Sequence, residues 1–256
     1  MASYSAPPGA PIWFDLMSSD PLTAASFYNE VFGWDAEIAN DEFGGYQNFT
    51  LNGKRIAGLS PYMPEAGGPP NVWSVYLRTE DAAASADAVE SAGGHVVVPP
   101  MAVGDEGTMS FYVDPSGAAI GSWQSDRHTG FAEWGVAGAP YWFECLSTDQ
   151  AAAVPFYQSV FGARPEAVPG APGNYTQLFY GDTAYAAVMD ARGMLPEGVP
   201  SYWNVYLTVD DVEATLQEVV NRNGTVLRGP EVTPYGTLAT IADPLGAAIS
   251  LGRAPE

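Results

Sequence analysis

From Ile12 to Met17 the chain alternates in the way of a half-buried strand. Asp20 then offers a helix cap with Pro21 at the first helical position. Ala24, Ala25, Tyr28, Val31 and Phe32 fall on one helical face, and Gly33 supplies the stop. Short strands follow at about 46–51, 54–60 and 72–78, then a second helix over 80–92 that ends at Gly93-Gly94. Strands near 95–98, 109–113 and 118–124 close the series, the last two joined by the turn Asp114-Pro115-Ser116-Gly117.

The pattern then repeats. PIWFDLMSSDPLTAASFYNEVFG (11–33) aligns with PYWFECLSTDQAAAVPFYQSVFG (140–162), 11 of 23 positions being identical. VWSVYL (72–77) returns as YWNVYL (202–207), and DPSGAAIG (114–121) as DPLGAAIS (243–250). Two homologous halves fill the chain, 1–128 and 129–256, and meet in the Gly- and Ala-rich segment 127–139. Each half reads as βαβββ twice over, an α+β class. Pro155, inside the first helix of the second half, should kink that helix or delay its start.

Composition narrows the function. The 256 residues carry 30 acidic and 9 basic side chains, a formal charge of −21 that repels nucleic-acid phosphates and anionic lipid surfaces. A single cysteine, Cys145, excludes an intrachain disulfide framework and a Cys-rich metal site, and its strand parity directs it toward the helix face. MASYSAPPGAP lacks the basic and apolar regions of a signal peptide, and no apolar run reaches about 18 residues. The expectation is a cytoplasmic protein without membrane or nucleic-acid partners.

The ordered motifs are a strand, S/T-x-D, a helix ending F-Y-x-x-V-F-G, an acidic residue opening a second helix, and F-x-x-D-P-x-G. Occurring twice over about residues 11–253, they resemble the glyoxalase / bleomycin-resistance / dioxygenase (vicinal oxygen chelate) superfamily in its single-chain tandem form. The resemblance implies paired βαβββ modules whose curled sheets form two cups in a pseudo-dimer. It also implies a divalent metal held by His, Glu or Gln from four strands of a cup, since such an ion takes imidazole and carboxylate ligands. Carried over position by position, the first ligand is Trp13 and Trp142, the third Ser74 and Asn204, the fourth Gly121 and Ser250. The second falls near Gly58 or Ser60, and near Val188 or Met189, with Asp190 a metal ligand only if the register slips. The reading is therefore no family metal and no cofactor. Of the two histidines, His95 reads as a surface residue; His128, in the linker, reads as structural or else as an acid–base group folded over a cup.

By strand parity Trp13, Asp15 and Met17 face the first cup with Ser74, Tyr76, Arg78, Ala119, Gly121 and Trp123, while Phe14, Leu16, Trp73, Val75 and Leu77 pack beneath. Trp142, Glu144, Leu146, Asn204, Tyr206, Thr208 and Ser250 face the second, with Trp203 in the core. Such a wall suits a planar or apolar ligand, with Trp13, Met17, Ser74, Trp123, Trp142, Asn204 and Ser250 as binding residues, although Trp13 and Trp142 could equally plug the cups. Asp15 and Glu144 are candidate acid–base groups, with Tyr76 and Tyr206 as proton donors or anchors. Two functions remain open: a metal-independent carrier or sequestering protein for an aromatic or apolar metabolite or drug, and a metal-independent tailoring enzyme (isomerase, cyclase, lyase or hydroxylase-like). A metal-dependent glyoxalase or dioxygenase lacks its ligands, and a protein–protein role would use the scaffold alone. Arg78 and Arg127 offer carboxylate recognition or surface ion pairing. A monomer with an internal pseudo-dimer, or a weak homodimer, is the expected state.

Overall fold

The computed structural model describes residues 4–38, 43–171 and 174–253. The first module comprises β1 (Pro11–Ser18), α1 (Pro21–Phe32), β2 (Asp35–Ile38), β3 (Gln47–Leu51) and β4 (Lys54–Pro61). The second comprises β5 (Val72–Thr79), α2 (Ala82–Ser91), β6 (His95–Val103), β7 (Gly107–Val113) and β8 (Ala119–Ser125). The second half repeats this: β9 (Pro140–Ser147), α3 (Gln150–Phe161), β10 (Arg164–Ala167), β11 (Tyr175–Tyr180) and β12 (Thr183–Asp190), then β13 (Tyr202–Thr208), α4 (Val212–Asn221), β14 (Thr225–Thr233), β15 (Gly236–Ala242) and β16 (Ala248–Arg253).

Each half is one curled eight-stranded sheet, in the orders β2-β3-β4-β1-β5-β8-β7-β6 and β10-β11-β12-β9-β13-β16-β15-β14. Two modules join where their first strands pair antiparallel, β1 with β5 and β9 with β13. Trp13 thereby sits opposite Tyr76 and Asp15 opposite Ser74, as Trp142 sits opposite Tyr206 and Glu144 opposite Asn204.

The helices start and stop where short polar and glycine residues allow. Asp20 accepts from the Thr23 amide at 3.2 Å, and Gly33 closes α1 in the left-handed conformation at φ 71°, returning its N–H to Asn29. Asp149 and Gly162 do the same for α3, which begins at Gln150, so Pro155 does not delay its start. β2 and β10 escape the hydrophobic pattern because they are four residues long and largely exposed. β6 runs on to Val103 through Pro99-Pro100, where its pairing with β7 slips between Val98 and Met101.

The two halves meet through their helices and the backs of their sheets. Phe14 of β1 and Phe143 of β9 are fully buried with ring centroids 6.0 Å apart, and Phe131 of the linker stacks on Phe143. Phe156 of α3 lies against Gly94, where an added Cβ would fall 2.7 Å from its ring; Phe27 of α1 meets Gly224 the same way, at 2.9 Å. Tyr157 donates to Asp114 of the opposite half at 2.7 Å and accepts from the Trp203 indole at 2.8 Å. Trp73 donates to Tyr28 at 3.2 Å in the equivalent place. Asp243 approaches Tyr28 there, although its Oδ2 has no hydrogen bond of ordinary geometry among the described residues.

Removing the Tyr157 hydroxyl strands a buried carboxylate oxygen and a buried indole N–H. We expect Tyr157→Phe to cost about 1–3 kcal/mol in urea unfolding. Tyr180→Phe deletes a buried hydroxyl that lacks a partner among the described residues, and should be neutral or stabilising in the same assay.

Candidate functional site

Each cup is built on its two central strands. In the first, Trp13 donates its indole N–H to the Tyr46 hydroxyl at 2.8 Å, and Tyr46 donates onward to Asp15 at 3.3 Å. Tyr76 makes a long hydrogen bond, 3.5 Å, to the other Asp15 oxygen. In the second, Trp142 donates to Tyr175 at 2.7 Å, and Tyr206 donates to Glu144 at 2.9 Å. Tyr175 also hydrogen-bonds Glu144. Tyr46 and Tyr175 were not singled out from the sequence. They stand at the same spacing from Trp13 and Trp142, so the alignment of the two halves held that signal.

The remaining positions divide between the cups. Ser74 and Met17 are half-buried around Asp15, and Trp123 is buried with its indole N–H on the His128 carbonyl at 2.8 Å. Asn204 donates to Ser250 at 2.8 Å, and Ser250 shares a 2.9 Å hydrogen bond with Thr240. Cys145 and Trp203 are buried on the opposite face of their strands. Arg78 reaches past the end of its strand to the Ala6 carbonyl at 2.6 Å, and Arg127 pairs with Asp105 at 2.8 Å on the surface. Two depressions of about 240 and 300 Å³ lie outside the cups, at the seams where α2 meets α3 and α1 meets α4.

Burial governs the charges. Asp15 is pushed up to about 7, desolvation outweighing its hydrogen bonds from Tyr76 and Tyr46. Glu144 is raised for the same reason, opposed by Tyr175, Tyr206 and the Arg228 charge. His128 lies edge-on to Trp13 at 4.2 Å between ring centroids, its Nε2 unpartnered among the described residues. Burial, and secondarily the Arg55 charge, drive its pKa down to about 3, so the linker imidazole is neutral. His95 stands exposed beside Glu90 at 3.6 Å.

The metal positions do not suit a divalent ion. Gly58 and Ser60 lie opposite Asp15 and Met17, on the cup side. In the second half Ala187 lies opposite Glu144 and Met189 opposite Leu146. Val188 and Asp190 lie opposite Cys145 and Ser147 on the other face, which corrects their candidacy; Asp190 is ion-paired with Arg192 at 2.6 Å. The donor positions thus hold Trp13, Gly58, Ser74 and Gly121, and Trp142, Ala187, Asn204 and Ser250. A Cβ on Gly58 would fall 1.9 Å from the Tyr46 oxygen, and one on Gly121 2.2 Å from the Tyr76 ring. Aromatic side chains fill the space of the absent ligands. Among the described residues no three His, Cys, Asp or Glu side chains converge.

Two curled sheets of paired βαβββ modules, with the cup between central strands, define the class. The chain belongs to the Glyoxalase/Bleomycin resistance protein/Dioxygenase superfamily, whose family model matches residues 11–121 and again 142–251. It is 37% identical to CFP32 of Mycobacterium tuberculosis, a protein provisionally named a glyoxylase, over 97% of this chain and 96% of that one. It is 36% identical to the anthracycline biosynthesis protein DnrV of Streptomyces peucetius, over 95% and 93%. The fold is shared with an Mn(II)-bound glyoxalase from Novosphingobium aromaticivorans (TM-score 0.67, 15% identity, 98% of this chain and 84% of that one). It is also shared with the 2,3-dioxygenase LapB from Pseudomonas sp. KL28 (TM-score 0.65, 15% identity, 99% and 96%).

Asp15 and His128 shape the pH dependence in opposite directions. Asp15 holds its proton more tightly folded (about 7) than unfolded (3.8), so its contribution is full below pH 3.8 and is lost as pH rises through 7. His128 holds its proton less tightly folded (about 3) than unfolded (6.5), so its contribution is full above 6.5 and is lost as pH falls. Relative to the parent, the unfolding free energy of Asp15→Asn should therefore climb between about pH 4 and 6.5, by up to about 1.4 kcal/mol per pH unit. That of His128→Gln should fall over the same range. Denaturant titrations at several pH values read both slopes.

Proposed function

We propose that this protein binds a planar aromatic or apolar small molecule in its cups without a divalent metal, as a carrier or sequestering protein. The observation that carries this reading is the Trp–Tyr–carboxylate–Tyr cluster, built twice at the place where the superfamily's metal donors would stand. Aromatic walls give stacking worth about 0.5–1.5 kcal/mol per ring pair beyond the area they bury. The buried carboxyl and phenol groups give a few convergent polar contacts, the usual composition of a small-molecule site. Kinship with a protein of anthracycline biosynthesis supports an aromatic ligand, since anthracyclines carry a planar fused-ring chromophore.

A second reading rests on Asp15 alone. A carboxyl with a pKa of about 7, flanked by two tyrosine hydroxyls, suits general acid–base work near neutrality. A metal-independent tailoring enzyme using Asp15 or Glu144, with Tyr76 or Tyr206 holding the substrate, would have this cup. In either reading 1–128 and 129–256 act as two units of an internal pseudo-dimer, monomeric or weakly dimeric. Among the described residues no helix is long and apolar enough to cross a membrane, and a cytoplasmic location is part of the proposal.

The test is a tryptophan-fluorescence titration with 1,2-dihydroxyanthraquinone, before and after dialysis against EDTA. We expect saturable binding that EDTA leaves unchanged. Absence of saturable binding, or its loss with EDTA and return with Mn²⁺, would overturn the reading. Loss of turnover of a bound substrate in Asp15→Asn or Glu144→Gln, with affinity kept, would place the protein among the enzymes.

A further inference from the structure

The halves carry the same cluster but not the same mouth. On the first cup the linker comes back across the opening: the Asp126 and His128 amides donate to the Glu106 carbonyl at 3.1 and 3.0 Å. His128 is thereby wedged between Trp13 and Trp123, and Trp13 is left 3% exposed. In the second cup the position of Trp123 is taken by Gly252, with the Tyr141 hydroxyl packed against it, and Trp142 remains half-buried.

The edge strands differ as well. The β6 residues opposite Phe111 and Met109 are Val98 and Met101. In β14 the residues opposite Thr240 and Leu238 are Arg228 and Glu231. Thr240 lies opposite Ser250, and Ser250 bonds Asn204, which lies opposite Glu144, so the ladder brings Arg228 onto the cup face. From that face the Arg228 charge is felt by both Glu144 and Tyr206, the smallest of the influences on Glu144. Arg228 is held by Glu231 through Nε at 3.1 Å and Nη2 at 2.6 Å. Those bonds engage two of the five guanidinium N–H donors, and both partners of the pair stay substantially exposed, so it yields readily to a competing anion. In a chain of net charge −21 an acidic oxygen needs a local cation to enter a cup, and the first cup has Val98 where the second has Arg228.

We propose that Arg228 is the specificity residue of the second cup, where it takes the acidic hydroxyl oxygen of a planar hydroxylated aromatic ligand, and that the first cup, wedged shut by its linker, takes none. The inference rests on the binding function proposed above and adds the cup, the stoichiometry and the ligand's acidic oxygen.

The experiment is equilibrium dialysis of the full chain with 1,2-dihydroxyanthraquinone and with its 1,2-dimethyl ether. The expected result is one diol bound per chain, with the dimethyl ether at least about tenfold weaker. Arg228→Gln should weaken the diol by about tenfold and leave the ether unchanged. Leu238→Trp, filling the second cup, should abolish binding, whereas Met109→Trp at the equivalent place in the first should not. Both sites are half-buried, and a thermal melt confirms that each variant folds. Two diols per chain, equal affinity for diol and ether, or sensitivity to Met109→Trp rather than Leu238→Trp, would overturn the inference while leaving the binding function standing. No binding of either compound would overturn the binding function itself, and the inference with it.

Discussion

The seam between the halves fixes everything else. Each half has a sheet whose back must be covered, and helices too few to cover it alone. Duplication solves this by seating the helices of each half on the other's helix–strand junction. Phe27 and Phe156 reach positions where only a glycine fits, Gly224 and Gly94. Tyr157 spans the gap to Asp114, whose other oxygen is already bound to the Ser116 and Ala118 amides of its own turn. A rigid Asp turn and a buried tyrosine hydroxyl thus lock the two sheets back to back. The concave faces then point away from the seam.

With the backs sealed, the cups are free to change. Where a metal cup needs imidazole, carboxylate or amide side chains as donors, this chain has glycine, alanine, serine, asparagine and tryptophan. The lost volume is recovered by Tyr46 over Gly58 and by Tyr76 over Gly121, which is why those glycines cannot carry a Cβ. The exchange leaves one carboxylate per cup under aromatic rings. Neither can stay charged at little cost unless hydroxyls donate to it, and in each cup two tyrosines do. The tyrosines therefore serve packing and polarity together.

How far this was legible depends on the kind of signal. The strand–helix–strand order, the tandem repeat and the parity placing Trp13, Asp15 and Tyr76 on one face come from periodicity, which survives in β1, β5 and their counterparts because each buries one face. β2 and β10 are short, polar edge strands with no buried face to impose a pattern. Val188 and Asp190 fall among the metal positions on sequence because β12 is apolar on both sides of the critical residue, so parity has no anchor until pairing with β9 supplies one. Tyr46 and Tyr175 come from strand β3 and its approach and from β11, far along the chain from the tryptophans they bond. Only the repeat spacing points to them. The meeting of His128 with Trp13 depends on the path of a linker, which no period encodes.

The divergence of the cups follows from a difference in what their edges must tolerate. The first cup is followed by the linker, which must be accepted by apolar side chains; Trp13 and Trp123 provide them, and a neutral imidazole rests between the two. The first cup has no counterpart of Arg228, since Val98 stands opposite Phe111 where Arg228 stands opposite Thr240. On the second cup Tyr141 packs against Gly252 and Tyr206, and Arg228 keeps its solvent and its Glu231 partner while its field reaches Glu144. The linker imidazole and the guanidinium thus stand on different cups. A duplicated fold can hold both devices by giving one to each half.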